Sequence, residues 1–275
     1  MDNDELLSFF SKYIERELGI IYSEHNLYQL QNRLEEVIKI LNIPDVLALY
    51  QDVISNNPRF KKQILLDIAT NNETTFFRDT RVFTGIEKLL KKIILECELK
   101  KEDLMIWSAA SSTGQEAISI SILLEESLEI KHYDLDYSIL CTDISERVLK
   151  RAREGVFTEL EVSRGLPPHF LHKYFKPENS HWRFSPKIMK KMDFRNQNIK
   201  ESFSHLGQFH IIFCRNVLIY QNVESKIEIL KRLASSLHPG GYLILGAGES
   251  LLGLTNDFEQ EIIDGAVFYK RAAPI

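Results

Sequence analysis

Residues 105–128 read MIWSAASSTGQEAISISILLEESL. The apolar run Met105-Ile106-Trp107 predicts a strand, Ser108–Glu116 a turn built of small residues, and Ala117–Leu128 a helix. Small residues let backbone approach a ligand closely, and the opening turn of a helix offers unpaired N–H groups. Open α/β sheets bind nucleotides at such a place, at the carboxyl ends of their strands. With Gly114 as its one glycine, the turn is neither the dinucleotide GxGxxG nor a P-loop. Glu116 in the first helical turn either faces a ligand or complements the helix dipole.

The same rhythm continues outward from this unit. Ile139-Leu140-Cys141 predicts a strand followed by a helix near Glu146–Arg153. His210–Cys214 predicts another, followed by a helix near Glu224–Leu237, and Tyr242–Leu245 a fourth. Strands alternating with helices imply right-handed crossovers and a parallel sheet covered on both faces. Ala266–Lys270 is placed to return antiparallel as a last strand, and Leu237-His-Pro-Gly-Gly-Tyr242 reads as a tight turn into the fourth. Residues 156–198 break the pattern with prolines that include Pro167, Pro168 and Pro186, so they are expected to form an insert. Upstream, Leu6, Phe9, Tyr13, Ile14 and Leu18 recur at helical spacing. So do Leu27, Leu30, Leu34, Val37, Ile38 and Leu41, after a possible cap at Ser23. Pro44 and Pro58 read as first-turn prolines of two further helices, giving a four-helix bundle over residues 1–70. The fold class is therefore α/β behind an all-α N-terminal domain.

Composition narrows the function. The 275 residues are 44% hydrophobic and 27% charged, ordinary for a globular chain. No apolar run approaches the ~20 residues that span a bilayer. The acidic start MDNDELLSFF lacks the basic region of a signal peptide. Cys97, Cys141 and Cys214 are odd in number and far apart, so neither a disulfide framework nor a metal pattern is expected. A cytoplasmic protein follows. The net charge of -5 argues against general nucleic-acid binding. Residues 164–195, however, hold eight Lys/Arg against two acids, either a solvated face or a docking surface for an acidic partner.

Three further constellations carry chemistry. Asp143 ends the second predicted strand, where an acid accepts hydrogen bonds from a ribose diol. Its alternative role is an N-cap, which Ser145 can also fill. Cys214-Arg215-Asn216-Val217-Leu218-Ile219-Tyr220 closes the third strand with more polarity than packing requires. Asn72-Glu-Thr-Thr-Phe-Phe-Arg78 lies between the helical and α/β regions, a common position for a ligand site. His169 and His172 lack a third ligand, and Cys141 and Cys214 read as small buried hydrophobes.

Taken together, NNETTFFRD (71–79), WSAASSTGQEAISI (107–120), CTDISERVLKRAREGVF (141–157), QNI (197–199), FCRNVLIY (213–220) and HPGGYLILGAGES (238–250) resemble the CheR family. These are the S-adenosylmethionine-dependent glutamate methyltransferases of bacterial chemoreceptors. Order and spacing match over roughly residues 70–250. The resemblance implies a Rossmann-like class I methyltransferase domain at 101–275 with a small β-rich insert near 156–198. A helical domain at 1–72 and a linker helix region at 73–100 precede it. It implies that Asn72, Thr74, Arg78, Gly114, Glu116, Asp143, Asn198, Ile199, Arg215 and Asn216 hold S-adenosylmethionine and its product S-adenosylhomocysteine, with Asn198 and Ile199 flanking the adenine. Arg78 and Tyr220 are then candidates for orienting the substrate carboxylate. The implied partners are the cytoplasmic helices of chemoreceptors, met by a monomer without membrane insertion.

A glutamate acceptor, with a pKa near ~4.3, is already ionised at neutral pH and needs no general base. Two features depart from the family pattern. In members whose N-terminal domain grips receptor helices, one helix there is arginine-rich; here residues 23–41 offer Arg33 and Lys39 against Glu24, Glu35 and Glu36. No glycine lies between Gly165 and Gly207, so tethering through a receptor's C-terminal peptide is not expected. The alternatives are a methyltransferase of this fold acting on another protein or a small acid, and a cofactor-binding scaffold without catalysis.

Overall fold

A computed structural model describes residues 2–22, 26–55, 59–131 and 135–272. Four helices come first: α1 (Asn3–Leu18), α2 (Leu27–Leu41), α3 (Val46–Ile54) and α4 (Arg59–Ala69). Each presents an apolar stripe, and Phe10, Ile14, Leu30, Leu34, Val37 and Leu49 interlock as a fully buried core. Asp2 caps α1 with a capping box closed by Glu5. The cap expected at Ser23 and the first-turn proline expected at Pro58 lie outside the described residues. Pro44 stands before the helix rather than in its first turn, because Asp45 is the N-cap of α3 and accepts from the Ala48 N–H.

The rest of the chain runs α5 (Thr80–Lys100), β1 (Leu104–Ala109), α6 (Gln115–Lys131), β2 (Tyr137–Asp143), α7 (Glu146–Glu154), β3 (Val156–Thr158), α8 (Glu159–Ser163), α9 (Pro168–Tyr174), β4 (Phe175–Glu178), β5 (His181–Phe184), α10 (Pro186–Met189), β6 (Met192–Asn196), β7 (Phe209–Phe213), α11 (Val223–Ser235), β8 (Leu237–Ile244), β9 (Phe258–Ile263) and β10 (Ala266–Arg271). The main sheet has the order β6-β2-β1-β7-β8-β10-β9. Its first five strands are parallel, and β10 returns antiparallel to β8. Register places Ile139, Ile106, Ile211 and Tyr242 in one row, and Leu140, Trp107, Ile212 and Leu243 in the next. The first row packs with α5 and α6, the second with α11, so both faces are covered.

The structure corrects three expectations. Residues 192–196, read as part of the insert, are β6 of the main sheet, paired parallel with β2. What remains of the insert is mixed, a three-stranded sheet β3-β5-β4 with short helices. Finally, the Pro-Gly-Gly segment lies within β8, which starts at Leu237 and accommodates it by a register shift opposite Phe209 and Ile211. Strand β9 was not anticipated.

The basic excess at 164–195 is partly paired on the molecule itself. Lys173 pairs with Glu126 and Glu129, Lys191 with Glu125 and Asp136, Arg183 with Glu178, and Arg195 with Asp193. Half of the eight cations are thus neutralised on the molecule, two of them by acids of α6 and the segment after it. Arg33 is likewise committed. It donates to the carbonyls of Ile68 and, at 2.5 Å, Thr70, closing the end of α4.

Candidate active site

Chain order reverses between β1 and β7, which flank one another while β2 lies on the far side of β1. A cleft opens at the carboxyl ends of these strands, where such a reversal leaves room. It encloses about 1000 Å³ including its mouth. Asn72, Thr74, Arg78, Glu116 and Asp143 line it, and so do Asn198, Ile199, Arg215, Asn216 and Tyr220. Gly114 does not. It stands at φ 92, and a Cβ there would come 3.2 Å from that of Ala152. This glycine therefore lets α6 start close against α7 and has no direct contact with the cleft.

The turn after β1 is folded by left-handed residues, Ala110 at φ 57 and Ser112 at φ 50, a conformation that costs on the order of 1–3 kcal/mol for a non-glycine residue. Hydrogen bonds hold it there. Ser111 N donates to Thr142 O at 2.9 Å, and Ser112 Oγ to Asn72 O at 2.8 Å. Asp143 is the hub of this turn. Its Oδ2 accepts from Ser112 N at 3.0 Å and its Oδ1 from Ser145 N at 2.9 Å, while Ser145 Oγ caps α7. The Ile144 N–H also faces the carboxylate, which keeps acceptor capacity beyond these bonds. Burial pushes the Asp143 carboxyl up to about 6, against the opposing pull of the Ser145 and Ser112 N–H groups.

Arg215 binds several segments at once. Nη1 reaches Glu116 Oε2 at 3.1 Å, and Nη2 reaches Asp79 Oδ2 at 2.8 Å and Arg78 O at 2.6 Å. Glu116 also accepts from Ser108 Oγ at 2.7 Å. Across the cleft, Asn71 Nδ2 donates to the Tyr220 hydroxyl at 2.8 Å, and Arg78 Nη1 donates to Glu73 O at 2.9 Å. Asn198 donates to Glu17 O at 2.9 Å and accepts from Lys200 N.

That last contact belongs to a feature absent from the sequence reading. The carbonyls that end α1 are met by donors from the α/β unit. Lys200 Nζ reaches Glu15 O and Arg16 O at 3.1 and 3.0 Å, and Gln221 Nε2 reaches Leu18 O at 2.9 Å. Carbonyls of the last turn and the negative end of the helix dipole are satisfied together. Leu18 and Ile20 thereby become cleft walls. No local signal marks Gln221 or these two apolar residues as site residues.

Three buried side-chain polar atoms lack a hydrogen-bond partner among the described residues: Ser111 Oγ, Arg215 Nε and Gln221 Oε1. All three residues line this cleft. Buried polar groups are ordinarily satisfied, so three residues with such atoms around one cavity point to a binding site for a polar ligand. Cys141 and Cys214 are fully buried, and burial raises both thiols well above the usual range, as expected of packing residues. Among the described residues no group of three or more potential ligands can hold a metal ion, and no helix is long and apolar enough to cross a membrane.

The family profile described as CheR methyltransferase, SAM binding domain, matches residues 72–266. This chain belongs to the CheR methyltransferase family. It is 37% identical to the chemotaxis protein methyltransferase of Vibrio parahaemolyticus over 98% of this chain and 97% of that one. It is 34% identical to the chemotaxis protein methyltransferase Cher2 of Pseudomonas putida over 95% and 96%. The Salmonella typhimurium chemotaxis protein methyltransferase is 28% identical over 89% of this chain and 83% of that one. The α/β unit is accordingly a class I methyltransferase fold, and S-adenosylmethionine is the cofactor of this CheR chain. The cleft fits it: a buried carboxylate with acceptor capacity, apolar walls and three residues with unsatisfied buried polar atoms line one cavity.

Proposed function

We propose that the chain transfers the methyl group of S-adenosylmethionine to glutamate side chains on the cytoplasmic helices of chemoreceptors. The observation that carries this reading is at the mouth of the cleft. Arg78 lines the same cleft as Tyr220, is only half-buried and has one guanidinium nitrogen on Glu73 O, leaving donors for an acceptor carboxylate. When bound, the cofactor supplies an electrophilic methyl on a positive sulfonium, and a carboxylate that takes it leaves a neutral ester and S-adenosylhomocysteine with no proton to move.

The residues then divide by task. Asp143 accepts the ribose hydroxyls with its remaining acceptor capacity. Asn198 and Ile199 flank the adenine, and Asn72, Thr74 and Asn216 line the remaining wall. Arg215 works by holding Glu116, the Asp79 carboxylate and the Arg78 carbonyl in place, since its Nη atoms are already paired. Arg78 and Tyr220 orient the acceptor. Positioning of this kind is worth about 7–11 kcal/mol of barrier. Arg78 must not hold the carboxylate too well, because its negative charge disappears in the reaction. We also propose that the helical bundle and the α/β unit are two domains of a cytoplasmic monomer that needs neither nucleic acid nor membrane insertion.

The test is incubation of purified protein with methyl-labelled S-adenosylmethionine and receptor cytoplasmic fragments. Base-labile label on the fragments supports the reading, and its absence overturns it. A second reading, the same transfer onto another protein or a small acid, is favoured by Arg33. With its guanidinium on the end of α4, it is not offered to an acidic receptor helix. Label on a non-receptor protein in extract would select that reading.

A further inference from the structure

The loop after β7 carries Asn216, Val217 and Tyr220 to the cleft, yet one side chain outside the cleft lining holds it. Glu249, beyond the end of β8, accepts four main-chain hydrogen bonds. Its Oε2 lies 2.7 Å from Asn216 N and 2.8 Å from Gly246 N. Its Oε1 lies 3.1 Å from Val217 N and 3.2 Å from Ile219 N. Bonds to an ionised acceptor are roughly twice as strong as neutral ones, and here both oxygens are used in full.

The loop needs such a hold. Asn216 sits in the left-handed region at φ 59, which is unfavourable without compensation. Strand β7 has ended at Phe213, so no ladder fixes the segment. Gly246 completes the arrangement, because a Cβ there would come 2.6 Å from Asn216 Nδ2 and 3.0 Å from Glu249 Oε2. The carboxylate thus joins the ends of two adjacent strands and sets the path that leads to Tyr220.

We infer that Glu249 is a positioning residue for methyl transfer. It touches neither cofactor nor acceptor and acts by fixing the main chain from Asn216 to Ile219, and through it the Tyr220 ring. This rests on the reading that Tyr220 orients the acceptor carboxylate. Displacement of a reacting group by about 1 Å can cost on the order of 100-fold in rate. The turn after β1 and Asp143 make no hydrogen bond to Glu249, so the ribose side of the cleft keeps its own supports, and of the residues assigned to the cofactor only Asn216 is held by this carboxylate.

The experiment combines Glu249→Gln with Tyr220→Phe in the full chain. Glutamine keeps the size of the side chain but turns one acceptor oxygen into an NH2 that faces two N–H donors. The expected result is a fall in kcat on receptor fragments of at least about tenfold, with KM for S-adenosylmethionine within about threefold of wild type. The double variant should lose no more than the slower single variant, because both changes act on one element. Additive losses, or an equal loss of cofactor affinity, would overturn the inference.

Amide hydrogen exchange gives a readout independent of the acceptor. In Glu249→Gln, Asn216, Val217 and Ile219 should exchange at least about tenfold faster, while Ile211 and Ile212 of β7 keep wild-type rates. Unchanged loop exchange, or acceleration throughout the sheet, overturns the inference. If wild-type protein esterifies no receptor fragment, the receptor reading fails, and the exchange measurement still decides whether Glu249 holds the loop.

Discussion

Arg215 and Glu116 meet 3.1 Å apart at the end of the sheet, with 2% and 13% of their side chains exposed. They come from β7's end and the first turn of α6, and Asp79 joins them from the cap of α5. A charge this buried depends on its partners, since removing one side of a buried pair costs about 3–5 kcal/mol. Arg215→Met should therefore lower the unfolding free energy by about that amount in urea titration. Glu116→Gln should cost less, because Asp79 still faces the guanidinium. A loss below about 1 kcal/mol for Arg215→Met would show that the pair is solvated.

Cofactor affinity should depend on pH through Asp143. Burial raises its carboxyl to about 6 in the free protein, and accepting ribose hydroxyls favours the ionised form. Binding should thus tighten by about tenfold between about pH 5 and 7, with proton release on binding near the midpoint. Titration calorimetry with S-adenosylhomocysteine in buffers of different ionisation enthalpy reads both. For folding the sign is reversed. The raised carboxyl favours the folded state at low pH, and that contribution is lost as pH rises from about 4 to about 6. A flat binding profile would remove Asp143 from the ribose site.

The Tyr220 hydroxyl accepts from Asn71 at 2.8 Å, so its ring is tied to the segment that precedes α5. Tyr220→Phe should lower turnover by about tenfold or more while leaving S-adenosylhomocysteine affinity within about threefold. The reverse pattern in paired kinetic and calorimetric measurements would place Tyr220 on the cofactor instead.

Gly19, the cap of α1, stands at φ 74, and a Cβ there would lie 1.8 Å from Gln221 Oε1. Gly19→Ala should cost about 1–3 kcal/mol from backbone strain alone, with displacement of Gln221 added. Gln221→Ala removes one bond to Leu18 O and should cost about 0.5–1.5 kcal/mol. The double variant should lose less than the sum, since both act on one contact. Thermal unfolding of the four proteins checks this, and strict additivity would show that the contact carries no energy.

Much of the sheet was legible because parallel strands covered on both faces read as apolar runs. Ile139-Leu140-Cys141 is an example, buried throughout. The edge strands were not legible: β6 buries only Met192 fully, and β9 none of its residues. The candidate site was visible where polarity gathers at strand ends, at Asp143 and from Arg215 to Tyr220. Yet the charge of Arg215 is matched by Glu116 and Asp79, residues 99 and 136 positions away, and no spacing rule connects them. Glu249 and Gln221 bond to main-chain groups of distant segments, which leave no mark on residue type.

Part of the joint between the helical bundle and the α/β unit is made on peptide carbonyls of α1, those of Glu15, Arg16, Glu17 and Leu18, beside side-chain contacts of Gln63 and Glu15. Every helix ending at that point offers the same acceptors, whatever side chains it bears. The outward faces of the bundle are consequently free to diverge without reworking the joint. A bundle grafted from a relative, with α1 of equal length and glycine at its end, would seat on Asn198, Lys200 and Gln221 as the native one does. Such a graft would leave the strand-end residues of the cleft in place and replace the walls that Leu18 and Ile20 provide.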